Sequence, residues 1–146
     1  MASIQNEYSL LCRMFDTDLA ELAHNEDVGL LAFSPLACGL LTGKYQADIP
    51  PPQGSRKSIT SDLGGRITPR LWPSIDAYAG IAAEFGIDMT QMALAWAMRR
   101  PFMGSVIFGA TTLEQLATAI GSADLELSDD IITRIDAAHK EHPMPF

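Results

Sequence analysis

Val28-Gly29-Leu30-Leu31-Ala32-Phe33, closed by Ser34-Pro35, is an unbroken apolar run. Without the in-out alternation of a half-covered strand, such a run reads as a strand covered on both faces, the mark of a parallel sheet. Upstream, Ile4 to Leu11 can form a first strand, and Phe15, Leu19 and Leu22 then recur at helical spacing, so a helix over about 14–24 joins the two. Downstream, Ser105-Val106-Ile107-Phe108 repeats the buried-strand pattern more briefly. Strand, helix, strand is the unit from which parallel sheets are built.

The remaining segments fit the same scheme. Residues 46–73 hold Pro50-Pro51-Pro52, Gly54, Gly64-Gly65, Pro69 and Pro73 with no apolar period, and are expected to form one long loop. Loops of that length in compact domains usually carry function. Ser74 is a candidate cap for a helix whose face is Ile75, Tyr78, Ile81, Ala82 and Phe85, ended by Gly86. Asp88 caps the next helix, whose apolar residues run most of the way round before Arg99-Arg100 and Pro101. Thr112 with Gln115 forms a capping box for a helix with the stripe Leu113, Leu116, Ile120, and Ser128 opens a last helix through Ile131, Ile132 and Ile135. The expected class is α/β with an open, three-stranded parallel sheet.

Composition bounds the function. The 146 residues are 47% hydrophobic and 19% charged, enough for one core and too apolar for a disordered chain. Ten Lys and Arg against 18 Asp and Glu leave −8, a sign that opposes nucleic acid and an anionic membrane as partners. An anionic cofactor is not excluded, because it needs only local cations and free amides. Cys12 and Cys38 have neither CxxC nor paired-His spacing, so no disulfide framework or zinc site is indicated, and a reduced, cytoplasmic setting is expected. The start, Met1 to Glu7, has no basic or apolar leader region, and no apolar run nears the 18 residues of a membrane span.

In parallel folds ligands bind at the carboxyl ends of strands. After the third strand, Gly109-Ala110-Thr111-Thr112 offers close backbone approach, two hydroxyls and a helix start suited to phosphate; the same residues are equally a plain helix cap. After the second, Gly39 to Lys44 departs from a phosphate-loop motif, with three residues between the glycines and Tyr45 after the lysine. Lys44 and Arg56 are either phosphate contacts or solvated cations. His24, His139 and His142 lie away from the strand ends, and no nucleophile elbow, HExxH or GxGxxG occurs.

Several segments together resemble the aldo-keto reductases, particularly the bacterial members and the potassium channel β-subunits. They are Gln5 to Leu11, Phe33 to Tyr45, Gly54-Ser55-Arg56, Gln91 to Trp96 and Gly109 to Leu116, in the family's order over nearly the whole chain. The resemblance implies a (β/α)₈ TIM barrel that binds NADPH, less often NADH, and reduces small carbonyl substrates. It implies further that residues 1–146 are a single C-terminal segment bearing the sixth to eighth strands, since a whole barrel takes about 250 residues. The family's catalytic Asp, Tyr, Lys and His find no counterpart, so no catalytic residue is carried over.

The implied cofactor contacts are eleven. Gln5 is similar to the glutamine that bonds the nicotinamide carboxamide, and Phe33 to the aromatic that stacks on its face. Ser34, Leu36, Cys38 and Gly39 resemble the pyrophosphate loop, with Lys44 and Arg56 closing over it. Thr111 resembles the hydroxyl near the adenosine 2′-phosphate and Gln115 the residue packed by the adenine, with Gly109 a cofactor contact in the same matching segment. Ala119 stands where the family has an asparagine, a departure that removes one polar contact. An isolated segment of this kind has open sheet edges, so self-association, or pairing with a complementing chain as a non-catalytic assembly module, is the rival expectation.

Overall fold

The computed structural model describes residues 3–146; Met1 and Ala2, part of the start read above, lie outside them. The chain runs β1 (Ser3–Glu7), α1 (Asp18–Asn25), β2 (Gly29–Phe33), α2 (Arg56–Ile59), α3 (Leu71–Glu84), α4 (Met89–Met98), β3 (Met103–Val106), α5 (Leu113–Gly121) and α6 (Asp129–Glu141). Short 3₁₀ turns occupy Met14–Asp16, Ala37–Thr42 and Ser122–Asp124. The sheet order is β1-β2-β3, all parallel. Gly104 is the extra residue where the β2–β3 register shifts, Leu30 pairing with Met103 and Leu31 with Ser105.

Local chemistry accounts for the helix ends. The Asp88 carboxylate accepts from the Gln91 amide at 2.9 Å, and the Ser128 hydroxyl from the Ile131 amide at 3.4 Å, as caps do. At the end of α3 the Ile87 amide donates to the Ala82 carbonyl and the Gly86 amide to Ala83, with Gly86 at φ 64°, a left-handed closure that glycine adopts without strain. Helix α3 begins at Leu71, not at the expected Ser74. Pro73 falls in its first turn, where no amide donor is required, and the Ser74 hydroxyl instead donates to the Arg70 carbonyl at 3.1 Å.

The helices gather on one face of the sheet. Leu30 and Ala32 are fully buried there, in one cluster with Tyr8, Phe15, Trp96, Phe102 and Ile135. Each such large side chain contributes about 1.5–3 kcal/mol. Tyr8 stacks on Trp96 with ring centres 5.3 Å apart, and the Arg13 guanidinium lies 4.3 Å from the Trp96 ring centre. The long-range ion pairs Arg13–Asp136 and Arg100–Asp16, both 3.0 Å, brace this layer.

Four expectations are corrected. The first strand stops at Glu7, because Tyr8 to Cys12 turn back through mutual Ser9 and Cys12 backbone bonds. The last strand is Met103–Val106, and Ile107 and Phe108 stand exposed beyond it. Strand β2 is covered on one face only: Leu31 is half-buried and Phe33 is 36% exposed. The stripe of α5 faces solvent, with Leu113 85% and Ile120 59% exposed. The last two are alike: each leaves apolar side chains that no described residue covers.

Candidate functional site

Side chains two apart on a strand share a face. Gln5 pairs with Leu31 and Glu7 with Phe33, so these four residues line the uncovered side of the sheet, near its carboxyl end. Gln5 is exposed and Phe33 presents its ring.

The loop after β2 is the most strained backbone near the sheet. Ser34 (φ 53°), Ala37 (φ 46°) and Cys38 (φ 59°) all adopt the left-handed conformation, at a cost of about 1–2 kcal/mol each. Strain of this kind clusters at ligand sites. Gly39 follows at φ 92°; a β-carbon there would sit 3.0 Å from the Lys44 Nζ and Cε, so the lysine folds back across the glycine. The Ala37 and Gly39 amides donate to Ser34 and Leu36 at 2.8 and 2.9 Å. The intervening Leu36 and Cys38 amides have no protein acceptor among the described residues. Amides left free in a left-handed turn, with an ammonium alongside, are donors of the kind an anion can use.

The segment 46–73, expected as loop, contains the single turn α2 and the start of α3. It is docked at both ends of its course. The Tyr45 hydroxyl accepts from the Lys57 amide at 3.1 Å, which brings Arg56 and Lys57 back toward Lys44. Farther on, Arg66 donates to Glu7 from Nη2 at 2.7 Å and Nε at 3.2 Å. Burial pulls the Arg66 guanidinium down, but the Glu7 carboxylate outweighs it and leaves Arg66 above its ordinary value. Phe146 lies with its ring centre 5.5 Å from the same guanidinium, and the Thr68 hydroxyl donates to the Pro145 carbonyl, so the chain end is laid on this segment. Burial first, and then Glu7, push the Cys12 thiol up.

After β3, the Thr111 amide and hydroxyl both donate to Gln115 Oε1 at 3.0 Å, and the Thr112 hydroxyl accepts from the Gln115 amide at 3.2 Å. The box is therefore shifted: Gln115 reaches back to Thr111, not to the expected Thr112. Gly109, Thr111 and Gln115 are exposed, whereas Ala119 is buried.

Thus Gln5 and Phe33 share one face, Ser34, Leu36, Cys38, Gly39 and Lys44 form one loop, and Arg56 is tethered beside it through Tyr45. No bond joins the Gly109–Gln115 group to that loop among the described residues. Sequence reading missed Tyr45, Lys57 and the Glu7–Arg66 pair; the adjacency of Lys57 to Arg56 was the one available signal. A cleft of about 490 Å³ lined by His24, Asp27, Arg100 and Phe102 lies at the amino ends of β2 and β3, opposite the ligand side of a parallel sheet.

Comparison with known proteins gives a consistent picture. The model of the Aldo/keto reductase family matches residues 1–140. Protein tas of Escherichia coli (strain K12) is 43% identical over 145 residues, which are 99% of this chain and 42% of that protein; Protein tas of Shigella flexneri gives the same figures. A Schizosaccharomyces pombe protein named "Putative voltage-gated potassium channel subunit beta" is 34% identical, over 90% of this chain and 40% of its own length. A glycerol dehydrogenase structure from Gluconobacter oxydans superposes with TM-score 0.77 and 22% identity, over 99% of this chain and 44% of that one. The chain spans less than half the length of these relatives, and its open sheet with one helical layer is part of a parallel β/α barrel.

Proposed function

The chain belongs to the aldo/keto reductase family, and from that premise we propose that it is the C-terminal, NADP(H)-holding segment of a carbonyl-reducing oxidoreductase, without the family's catalytic tetrad. The observation that carries this reading is the strained loop Ser34 to Gly39, with its free amides and Lys44 folded over Gly39. Such strain is retained where a ligand uses it, and these donors suit a pyrophosphate.

The other residues fit the same group. The Phe33 ring offers a stacking face and Gln5, beside it, an amide that both donates and accepts. Arg56 adds positive charge, Gly109 leaves room for close approach, and Thr111 with its locked partner Gln115 faces outward for the adenosine end. Without a 2′-phosphate the same contacts serve NADH. When bound, a reduced nicotinamide supplies hydride to a carbonyl carbon.

A proton for the carbonyl oxygen must come from elsewhere. All three tyrosines are buried: Tyr8 donates to Asp16 at 2.7 Å, Tyr78 to the Leu10 carbonyl at 3.0 Å, and Tyr45 is held against Lys57. Burial, and then the bond to Asp16, push Tyr8 far above the ordinary tyrosine range. Glu7 is engaged by Arg66. These groups bind and orient; none presents an acid to the open face. Two free cysteines support a reduced, cytoplasmic setting, and no helix of the described residues is long and apolar enough to cross a membrane. Purified chain mixed with NADPH and a panel of aldehydes should give no turnover; rates like those of an intact reductase would refute the proposal.

A second reading, a non-catalytic assembly module, is favoured by one observation. Apolar side chains are bare just after β3 and along α5, namely Ile107, Phe108, Leu113, Leu116 and Ile120. A complementing chain or a second copy that adds strands and helices there would cover them. Sedimentation that finds only monomer across concentrations would argue against it.

A further inference from the structure

The geometry points to Lys57 as a third cation of the phosphate-binding loop, one that neither the family resemblance nor the sequence motifs assign. The inference rests on the cofactor reading above and deepens it. Lys44 and Lys57 approach one ring: their ammonium groups lie 5.1 and 5.9 Å from the centre of Tyr45. Lys57 also lies 4.7 Å from the centre of the Trp72 ring. A π face attracts an ammonium without neutralising it and leaves its N–H donors for an acceptor. None of the salt bridges among the described residues involves Lys44, Arg56 or Lys57.

The surrounding charge makes this unusual. Five of the ten Lys and Arg fall between Lys44 and Arg70, against Asp48 and Asp62 alone of the 18 acids, in a chain whose net charge is −8. Like-charged ammonium groups held about one buried tyrosine repel each other, and a bound anion relieves that repulsion. The Ser55 hydroxyl, next in the chain to Arg56, is buried without a partner. Tyr45 sets the arrangement, because its hydroxyl accepts from the Lys57 amide while Lys44 spans Gly39. The ligand chemistry is a phosphate group of the dinucleotide, from the pyrophosphate or the 2′-phosphate.

The test is calorimetric titration of the chain with NADPH, NADH and inorganic pyrophosphate, comparing wild type with Lys57→Met, which keeps an apolar stem against Trp72, and Lys57→Arg, which keeps the charge. Lys140→Met, at an exposed position of α6, controls for net charge. Lys57→Met should weaken NADPH about five- to tenfold, as loss of one charge-assisted bond does, with Lys57→Arg near wild type and Lys140→Met unchanged. Equal weakening of NADH assigns the pyrophosphate; weakening of NADPH alone assigns the 2′-phosphate. NADPH binding that Lys57→Met leaves intact overturns the inference and spares the cofactor reading. Pyrophosphate binding that depends on Lys57, in a chain blind to NADPH, keeps Lys57 as a phosphate-binding cation but sinks the cofactor reading and the dinucleotide as the source of that phosphate. Binding of neither by wild type overturns both.

Discussion

The Glu7 carboxylate, at the carboxyl end of the first strand, is held by two nitrogens of Arg66, at 2.7 and 3.2 Å, 59 positions farther along the chain. Both side chains are mostly buried. The pair ties the long segment after β2 to the sheet face that carries Gln5 and Phe33, and Phe146 lies against the guanidinium. Removing Glu7 strands a mostly buried cation. Glu7→Gln should cost about 1–3 kcal/mol in urea unfolding and raise hydrogen exchange over residues 60–68. An unchanged midpoint with unchanged exchange would show that the segment is held by something else.

Stability should also depend on pH in a particular way. Burial, and then Arg13, lower the His139 imidazole below its ordinary 6.5. The unfolded chain therefore takes up that proton first as pH drops, and stability falls below about pH 6.5. Burial raises Cys12 and Tyr8, from ordinary values of 9.0 and 10.0. In the unfolded chain these groups lose their protons first, so stability also falls above about pH 9. His139→Gln should flatten the acid limb and leave the alkaline one; an acid limb that survives this substitution assigns it to the carboxylates.

The apolar stripe of α5 and the core are expected to respond oppositely. Leu113→Ser and Ile120→Ser remove side chains that face solvent, and each should change stability by less than about 0.5 kcal/mol. Ile135→Ala, in the buried cluster, should cost about 2–5 kcal/mol. If the serine variants unfold the chain, the stripe is covered in solution, and the same variants should then abolish any dimer seen by sedimentation.

Much of this was legible beforehand, and the reasons are local. Asp88, Ser128 and Gly86 announce helix ends because the bonds they make span three to five residues. The apolar run around Leu30 announces a strand because Leu30 and Ala32 must be buried, whereas the run after Val106 proves exposed and its strand begins earlier, at Met103. What covers a face is not local. Leu113, Leu116 and Ile120 specify an apolar stripe without saying what meets it, and Phe33 in an apolar run reads as buried although only one helical layer is present. The Glu7–Arg66 pair and the approach of Lys57 to Tyr45 depend on the path of a long proline-rich segment, which no spacing rule fixes. Of the candidate site, family resemblance supplied the roles, and physical reading alone supplied little beyond the strand ends.

Backbone strain gives another prediction. Gly39 is at φ 92° with Lys44 folded against it, so Gly39→Ala forces a left-handed alanine and displaces the lysine. It should destabilise the chain by about 1–2 kcal/mol and weaken NADPH binding. Unfolding midpoints and titrations on the same variant check both; a stable variant with wild-type affinity would remove this loop from the site.

The most direct measurement is a residue-resolved NMR titration of the isotope-labelled chain with NADPH. The predicted result is shifts confined to Gln5, the stretch from Phe33 to Gly39, Lys44, the Arg56–Lys57 turn, and the stretch from Gly109 to Gln115. Shifts gathered instead around His24 and Arg100, at the opposite end of the sheet, or no shifts at saturating NADPH, would contradict it.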